Sequence, residues 1–117
     1  MPSKNPAQRL QDIIQNIDLV AEFTAGLAYG AFMEDTRTVY AVVRALEIIY
    51  EATRRLPPDM KDRYPNIDWT AVAAAGNIYR HEYDGVDGSL LWYTARNGTD
   101  ALKAMATSEL ARLTAQA

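Results

Sequence analysis

The chain has 117 residues, 49% of them hydrophobic, and no cysteine. That is enough for one domain with a real core, and it excludes a disulfide framework, thiolate metal sites and a thiol nucleophile. A formal net charge of -3 excludes nucleic-acid binding by overall charge, so any RNA contact must rest on a local cluster among the nine arginines. Behind Met1-Pro2-Ser3-Lys4-Asn5-Pro6 there is no apolar run, so no signal peptide is expected. No stretch approaches the ~20 apolar residues of a bilayer span. The expectation is a cytoplasmic protein without membrane contact, a single domain over residues 1–117 whose first five residues are flexible.

The apolar residues follow helical spacing along almost the whole chain. A first helix is expected from about Pro6, which suits a first turn, to about Leu27, with Leu10, Ile13, Ile14, Ile17, Val20, Ala21 and Phe23 inward. Gly26 and Gly30 bracket a weaker segment, with Gly30 as a turn candidate. A second helix starts at Asp35 or Thr36 as its cap and ends before Pro57-Pro58. Val39, Val42, Val43, Leu46, Ile49, Tyr50, Thr53 and Leu56 form its main stripe, with the Tyr50 hydroxyl expected to reach water or a partner. Ala41, Ala45, Ile48 and Ala52 make a second apolar side, which calls for a second cover such as another copy of the chain. Residues 57–68 read as a loop with one short helical turn. Asp68 then caps a third long helix carrying Trp69, Val72, Ala73, Gly76 and Tyr83 on one face, broken at Asp84-Gly85-Val86-Asp87-Gly88. A last helix runs from about Ser89 to about Leu113, its apolar side formed by Leu90, Leu91, Tyr93, Thr94, Leu102, Met105 and Leu113, with a kink near Asn97-Gly98-Thr99. No period-two strand appears. The pattern predicts an all-α protein, an antiparallel four-helix up-and-down bundle with one short extra helical turn.

His81 is the only histidine, and an imidazole titrating near pH ~6.5 can act as acid or base at cellular pH. Asn77, four residues earlier, shares its helix face, and Arg80 and Tyr83 flank it. Such a set suits metal-independent RNA cleavage. A base removes the proton of a ribose 2′-hydroxyl, an acid protonates the leaving oxygen, and a guanidinium stabilises the phosphate charge. A lone histidine at a helix end also serves as an ordinary cap or hydrogen-bond donor. Glu47 and Glu51, with Arg44, Arg54 and Arg55 at three- and four-residue steps, read as an intrahelical salt-bridge ladder. A di-metal bundle needs several Glu-x-x-His sets, which one histidine cannot supply. Trp69, Trp92 and the seven tyrosines read as core and interface residues.

The stretch Gly76-Asn77-Ile78-Tyr79-Arg80-His81-Glu82-Tyr83-Asp84-Gly85-Val86-Asp87, preceded by Leu46-Glu47-Ile48-Ile49-Tyr50-Glu51-Ala52 and by Pro65-Asn66-Ile67-Asp68-Trp69, resembles the signature of the HEPN superfamily in its HepT-like ribonuclease toxin branch. The resemblance extends from about Asp12 to about Trp92. It implies a helical bundle that dimerises, with an active cleft where the two copies of the His81 helix meet, cutting RNA without metal or cofactor. It further implies a minimal nucleotidyltransferase antitoxin that silences the toxin by adding AMP to the tyrosine of the His-x-Tyr element. Carried over, His81 is the acid–base residue, Tyr83 the modification site, and Asn77 the asparagine that follows the family's arginine. In that motif the arginine is separated from the histidine by four to six intervening residues, and at those positions this chain has Gly76, Ala75 and Ala74. Arg80 and Arg44 are the candidates to replace it, and Glu47 is a further cleft contact. The alternatives are a catalytically inactive module that binds a nucleotidyltransferase partner or a nucleotide, and a purely structural helical dimer.

Overall fold

Asn5 accepts a hydrogen bond from the Gln8 backbone at 3.2 Å and so starts helix α1 (Pro6–Thr24) as its cap, although it fell in the stretch expected to be flexible. The computed structural model describes residues 5–81 and 87–116, with the backbone alone for Arg80 and His81. Leu10, Ile13, Ile17 and Val20 of α1 point into the core, whereas Phe23 is 37% exposed. The helix ends at Gly26, whose φ of 76° is the one positive value among the described residues. Glycine takes that left-handed turn without a Cβ penalty. The turn candidate Gly30 instead lies inside a short second helix, α2 (Tyr29–Glu34).

Asp35 caps α3 (Thr36–Arg54), accepting from Thr38 through both its backbone and its hydroxyl. The expected stripe is buried except for Val39, which is half-buried, and Ala45 and Ala52 on the second side are buried as well. Pro57 ends the run and Pro58 opens α4 (Pro58–Asp62), the short extra turn. Asp68 caps α5 (Trp69–His81), accepting from the Ala71 backbone at 3.1 Å.

Residues 84–86 of the expected break lie outside the described residues. Asp87 caps α6 (Gly88–Tyr93) by accepting from Ser89 and Leu90. A π-helical segment, Thr94–Gly98, stands where a kink was expected and leads into α7 (Asp100–Ala115). A wider turn of this kind is a recognised cause of helix bending. Leu91, Thr94, Leu102 and Met105 are buried as predicted, but Leu90 and Tyr93 are 52% and 60% exposed. Leu90 and Tyr93 share one face of α6, and Leu91 with Thr94 takes the inner one.

No strand occurs among the described residues, and the molecule is the all-α bundle the periodicity predicts. Helix α1 lies between α3 and α7, and α5 packs on the other side of α3. Glu109 of α7, 1% exposed, ties the far end together by accepting from Arg63 and from the Tyr64 hydroxyl at 2.8 Å. No helix among the described residues is long and apolar enough to cross a membrane.

Candidate active site

Helix α5 owes its position to a close approach. A Cβ at Gly76 would stand 3.1 Å from the Tyr50 Cβ, so only glycine lets the two helices meet at that point without adjustment. One turn further on, Tyr79 is 3% exposed, and its ring stacks on Tyr50 at 5.6 Å and an interplanar angle of 12°. Burial pushes the Tyr50 hydroxyl up to about 12 and raises Tyr79 too. Tyr79 was not singled out from the sequence. Its spacing from Val72 and Gly76 was the available signal.

The predicted site residues fall in two groups. Arg80 and His81 occupy the last turn of α5, and Asn77 is exposed on the same helix. The side chains of Arg80 and His81, and Glu82 and Tyr83 entirely, lie outside the described residues. Arg44 and Glu47 sit on α3, joined by an ion pair at 2.5 Å.

That pair lines a groove of about 330 Å³ whose floor is the outer side of α3, bounded by Arg9 and Asp12 of α1 and by Ala73 and Gly76 of α5. Four arginines (Arg9, Arg44, Arg54, Arg55) and three carboxylates (Asp12, Glu47, Glu51) line it. The expected ladder is present: Glu51 accepts from Arg54 at 2.7 Å and from Arg55 at 3.2 Å. The Arg54 bond above all holds the Glu51 carboxyl down at about 2. The Arg9 Nε is buried in the groove wall without a hydrogen-bond partner, although Arg9 pairs with Asp12 through another nitrogen at 3.1 Å. Guanidinium groups here outnumber carboxylates and keep donors available, which suits a phosphate. Among the described residues no group of three His, Asp or Glu could hold a metal ion.

Large exposed hydrophobic side chains gather at one end. Phe23, Tyr29, Met33, Tyr40, Leu90 and Tyr93 come from the end of α1, from α2, from the start of α3 and from α6. Tyr29 and Phe32 lean on Trp92, with ring centroids 6.4 and 5.0 Å away, and Tyr29 and Met33 lie against Gly88. Together they form an apolar collar at that end.

A bundle with a single histidine on the last turn of its third long helix, and an arginine-lined groove bounded by Ala73 and Gly76 of that helix, defines a class that comparison narrows. The family model for ribonuclease HepT-like proteins matches residues 13–108, and the chain belongs to that family. It is 40% identical over 94 residues to "Probable ribonuclease HepT" of Thermococcus cleftensis, covering 80% of this chain and 86% of that protein. It is 37% identical over 94 residues to "Putative RNase MJ1380" of Methanocaldococcus jannaschii, with the same coverage of both chains. A protein of Caldanaerobacter subterraneus, "Putative RNase TTE0752", is 32% identical over 91 residues, 78% of this chain and 81% of its own length. No solved structure matches the chain. Membership of this family supports a ribonuclease function.

Proposed function

We propose that the protein is a toxin-type endoribonuclease that cuts RNA without metal, as a homodimer in the cytoplasm, and is neutralised by a nucleotidyltransferase antitoxin. The observation that carries this reading is the family match across residues 13–108, which includes His81 at the end of α5. His81 takes the proton from a ribose 2′-hydroxyl. The 2′-oxygen attacks the adjoining phosphorus, the bond to the 5′-oxygen of the next nucleotide breaks, and that oxygen takes up a proton. The products are a 2′,3′-cyclic phosphate and a 5′-hydroxyl. One histidine cannot be base and acid in a single concerted step, and the chain has only one. A two-fold dimer that brings two copies of α5 together supplies the second, which is the physical case for the dimer.

Arg80 and the groove arginines, Arg44 first, are the candidates to stabilise the phosphate, in place of the arginine that the family motif puts where Gly76 stands. Glu47 holds Arg44, and Asn77 presents an amide on the His81 face. The phenol of Tyr83 would attack the α-phosphorus of ATP on the antitoxin, releasing pyrophosphate and leaving AMP on the toxin. The apolar collar offers both partners a surface.

Gly76 favours a second reading, a silent module that keeps the scaffold and the partner surface. The two are separated by incubating structured and unstructured RNA with the purified protein and with His81→Ala, in EDTA. Cleavage by the wild type alone is expected. No cleavage by a wild type whose mass shows no AMP would favour the silent module.

A further inference from the structure

With a net charge of -3, the chain can hold RNA only where arginines gather, and four of its nine line the groove on the outer side of α3. The others with described side chains stand elsewhere. Arg63 and Arg112 face Glu109, Arg96 bonds Thr24 and lies over Trp92, and Arg37 belongs to the first turn of α3. Inside the groove, Arg54 grips Glu51 side-on, its Nε donating to one carboxylate oxygen at 3.1 Å and a terminal nitrogen donating to the other at 2.7 Å. The Arg55 Nε donates to that second oxygen at 3.2 Å. Two guanidinium forks converging on one anionic group is also the arrangement that recognises a phosphate.

We propose that Arg54 and Arg55 form a seat for a backbone phosphate of RNA close to the one that is cut, and that the Glu51 carboxylate fills this seat until RNA arrives. The proposal deepens the reading of RNA as the substrate and rests on it. Helical spacing alone explains why Glu51 meets Arg54 and Arg55. It does not explain the rest of the groove. One carboxylate serves two arginines, and the groove as a whole sets four guanidinium groups against three carboxylates. The fourth arginine comes from another helix. Arg9 of α1 pairs with Asp12 at 3.1 Å, yet its Nε is buried without an acceptor, which is costly in a wall built for stability alone. The facing wall is Ala73 and Gly76 of α5, small and uncharged, which leaves room for a strand. Gly76 precedes His81 by five residues, about 7.5 Å of helix rise, so a strand lying in the groove leads on to the last turn of α5. The exchange itself is easy. The Arg54 and Arg55 side chains are half-exposed, and ion pairs so open to water hold weakly. A phosphodiester carries the same single charge as the carboxylate it displaces, and Glu51 can turn to solvent.

The test measures binding apart from cleavage, on the full chain. A short fluorescein-labelled 2′-O-methyl RNA has no 2′-hydroxyl to react, so its anisotropy reads affinity alone. All the substitutions lie on the surface, where the fold tolerates them. Arg54→Gln with Arg55→Gln should weaken binding about 10-fold at low salt and lower the salt slope by about 0.7, the share of one phosphate contact on a single strand. Arg37→Gln with Arg112→Gln removes as much charge elsewhere and should bind within about twofold of the wild type. Glu51→Gln should tighten binding about threefold by itself and not at all beside the Arg54 and Arg55 substitutions, since the seat is then gone. A loss in the Arg54 and Arg55 variant no greater than in the Arg37 and Arg112 variant would overturn the proposal. So would tightening by Glu51→Gln that is equal in both backgrounds, or a wild type that does not bind the oligonucleotide. Displacement of the oligonucleotide by an equal concentration of AMP would overturn it too, because the seat would then belong to a mononucleotide. If binding behaves as expected but unmodified RNA is not cut, the ribonuclease reading fails and the phosphate seat stands. If RNA is cut and His81→Ala is inactive while the groove variants bind like the wild type, the seat fails and the ribonuclease reading stands.

Discussion

Glu109→Gln should cost the fold about 2–3 kcal/mol at pH 7, and the contacts of Glu109 say why. The carboxylate is 1% exposed and accepts from Arg63 through two nitrogens, one of them at 3.2 Å, and from the Tyr64 hydroxyl at 2.8 Å. Hydrogen bonds to charged groups contribute about 1.5–3 kcal/mol each when their partner is buried. A glutamine keeps the shape and one acceptor but turns its amide nitrogen toward the guanidinium, donor against donor. The Arg63 side chain is 34% exposed and can turn to water, which keeps the loss below the sum of the bonds. For a domain of this size the estimate corresponds to a fall in Tm of about 8–12 °C. The pH dependence has a definite sign. Arg63, through its hydrogen bonds, holds the Glu109 carboxyl below its ordinary value of 4.5. A carboxylate with a lowered folded-state pKa contributes its full stabilisation above the unfolded value and loses it as pH falls through the folded value. The gap between wild type and Glu109→Gln should therefore be full at pH 7 and close progressively below about pH 4.5. Circular dichroism melts of both proteins from pH 3 to pH 8, at one fixed protein concentration, measure it. A gap under about 0.5 kcal/mol at pH 7, or one that persists unchanged at pH 3, would refute the reasoning.

Gly76→Ala gains about 1 kcal/mol of helix propensity, yet its methyl would meet the Tyr50 Cβ at 3.1 Å, an atom fixed to the α3 backbone. The helices must part, and a net loss of about 1 kcal/mol is expected, read as a lower urea midpoint; a higher midpoint would show that α3 yields freely. Phe32→Ala empties a fully buried site beside Trp92 and should cost about 3–5 kcal/mol, with tryptophan emission shifting to the red. An emission spectrum unchanged from the wild type would mean that Phe32 does not shield Trp92.

The long helices were legible because their signals are local. Asp35 and Asp68 cap α3 and α5, Pro57 stops α3, and the three- and four-residue spacing of Val42, Leu46, Ile49 and Thr53 faces the core. Short features were not legible, because they depend on what packs against them. Helix α2 forms where Tyr29 and Phe32 find Trp92, far away in sequence. Leu90 and Tyr93 looked like core by residue type, but the α6 face shared by Leu91 and Thr94 turns them outward. His81 and Arg80 stand out as candidates by residue type and spacing, whereas Arg44 and Glu47 read by spacing as part of a salt-bridge ladder and become candidates only through the family resemblance. The role of Gly76 was not legible, since its reason is the approach of Tyr50 from another helix. The burial of Tyr79 is hidden for the same cause, because the ring it stacks on, Tyr50, lies on another helix.

The most direct test of the central claim is the chemistry of the RNA ends. Untagged protein free of AMP is incubated with labelled RNA in EDTA, beside His81→Ala at equal concentration. The account predicts fragments ending in a 2′,3′-cyclic phosphate and starting with a 5′-hydroxyl, formed by the wild type and absent with His81→Ala. Cleavage that persists in His81→Ala, or fragments carrying a 5′-phosphate and a 3′-hydroxyl, would contradict it.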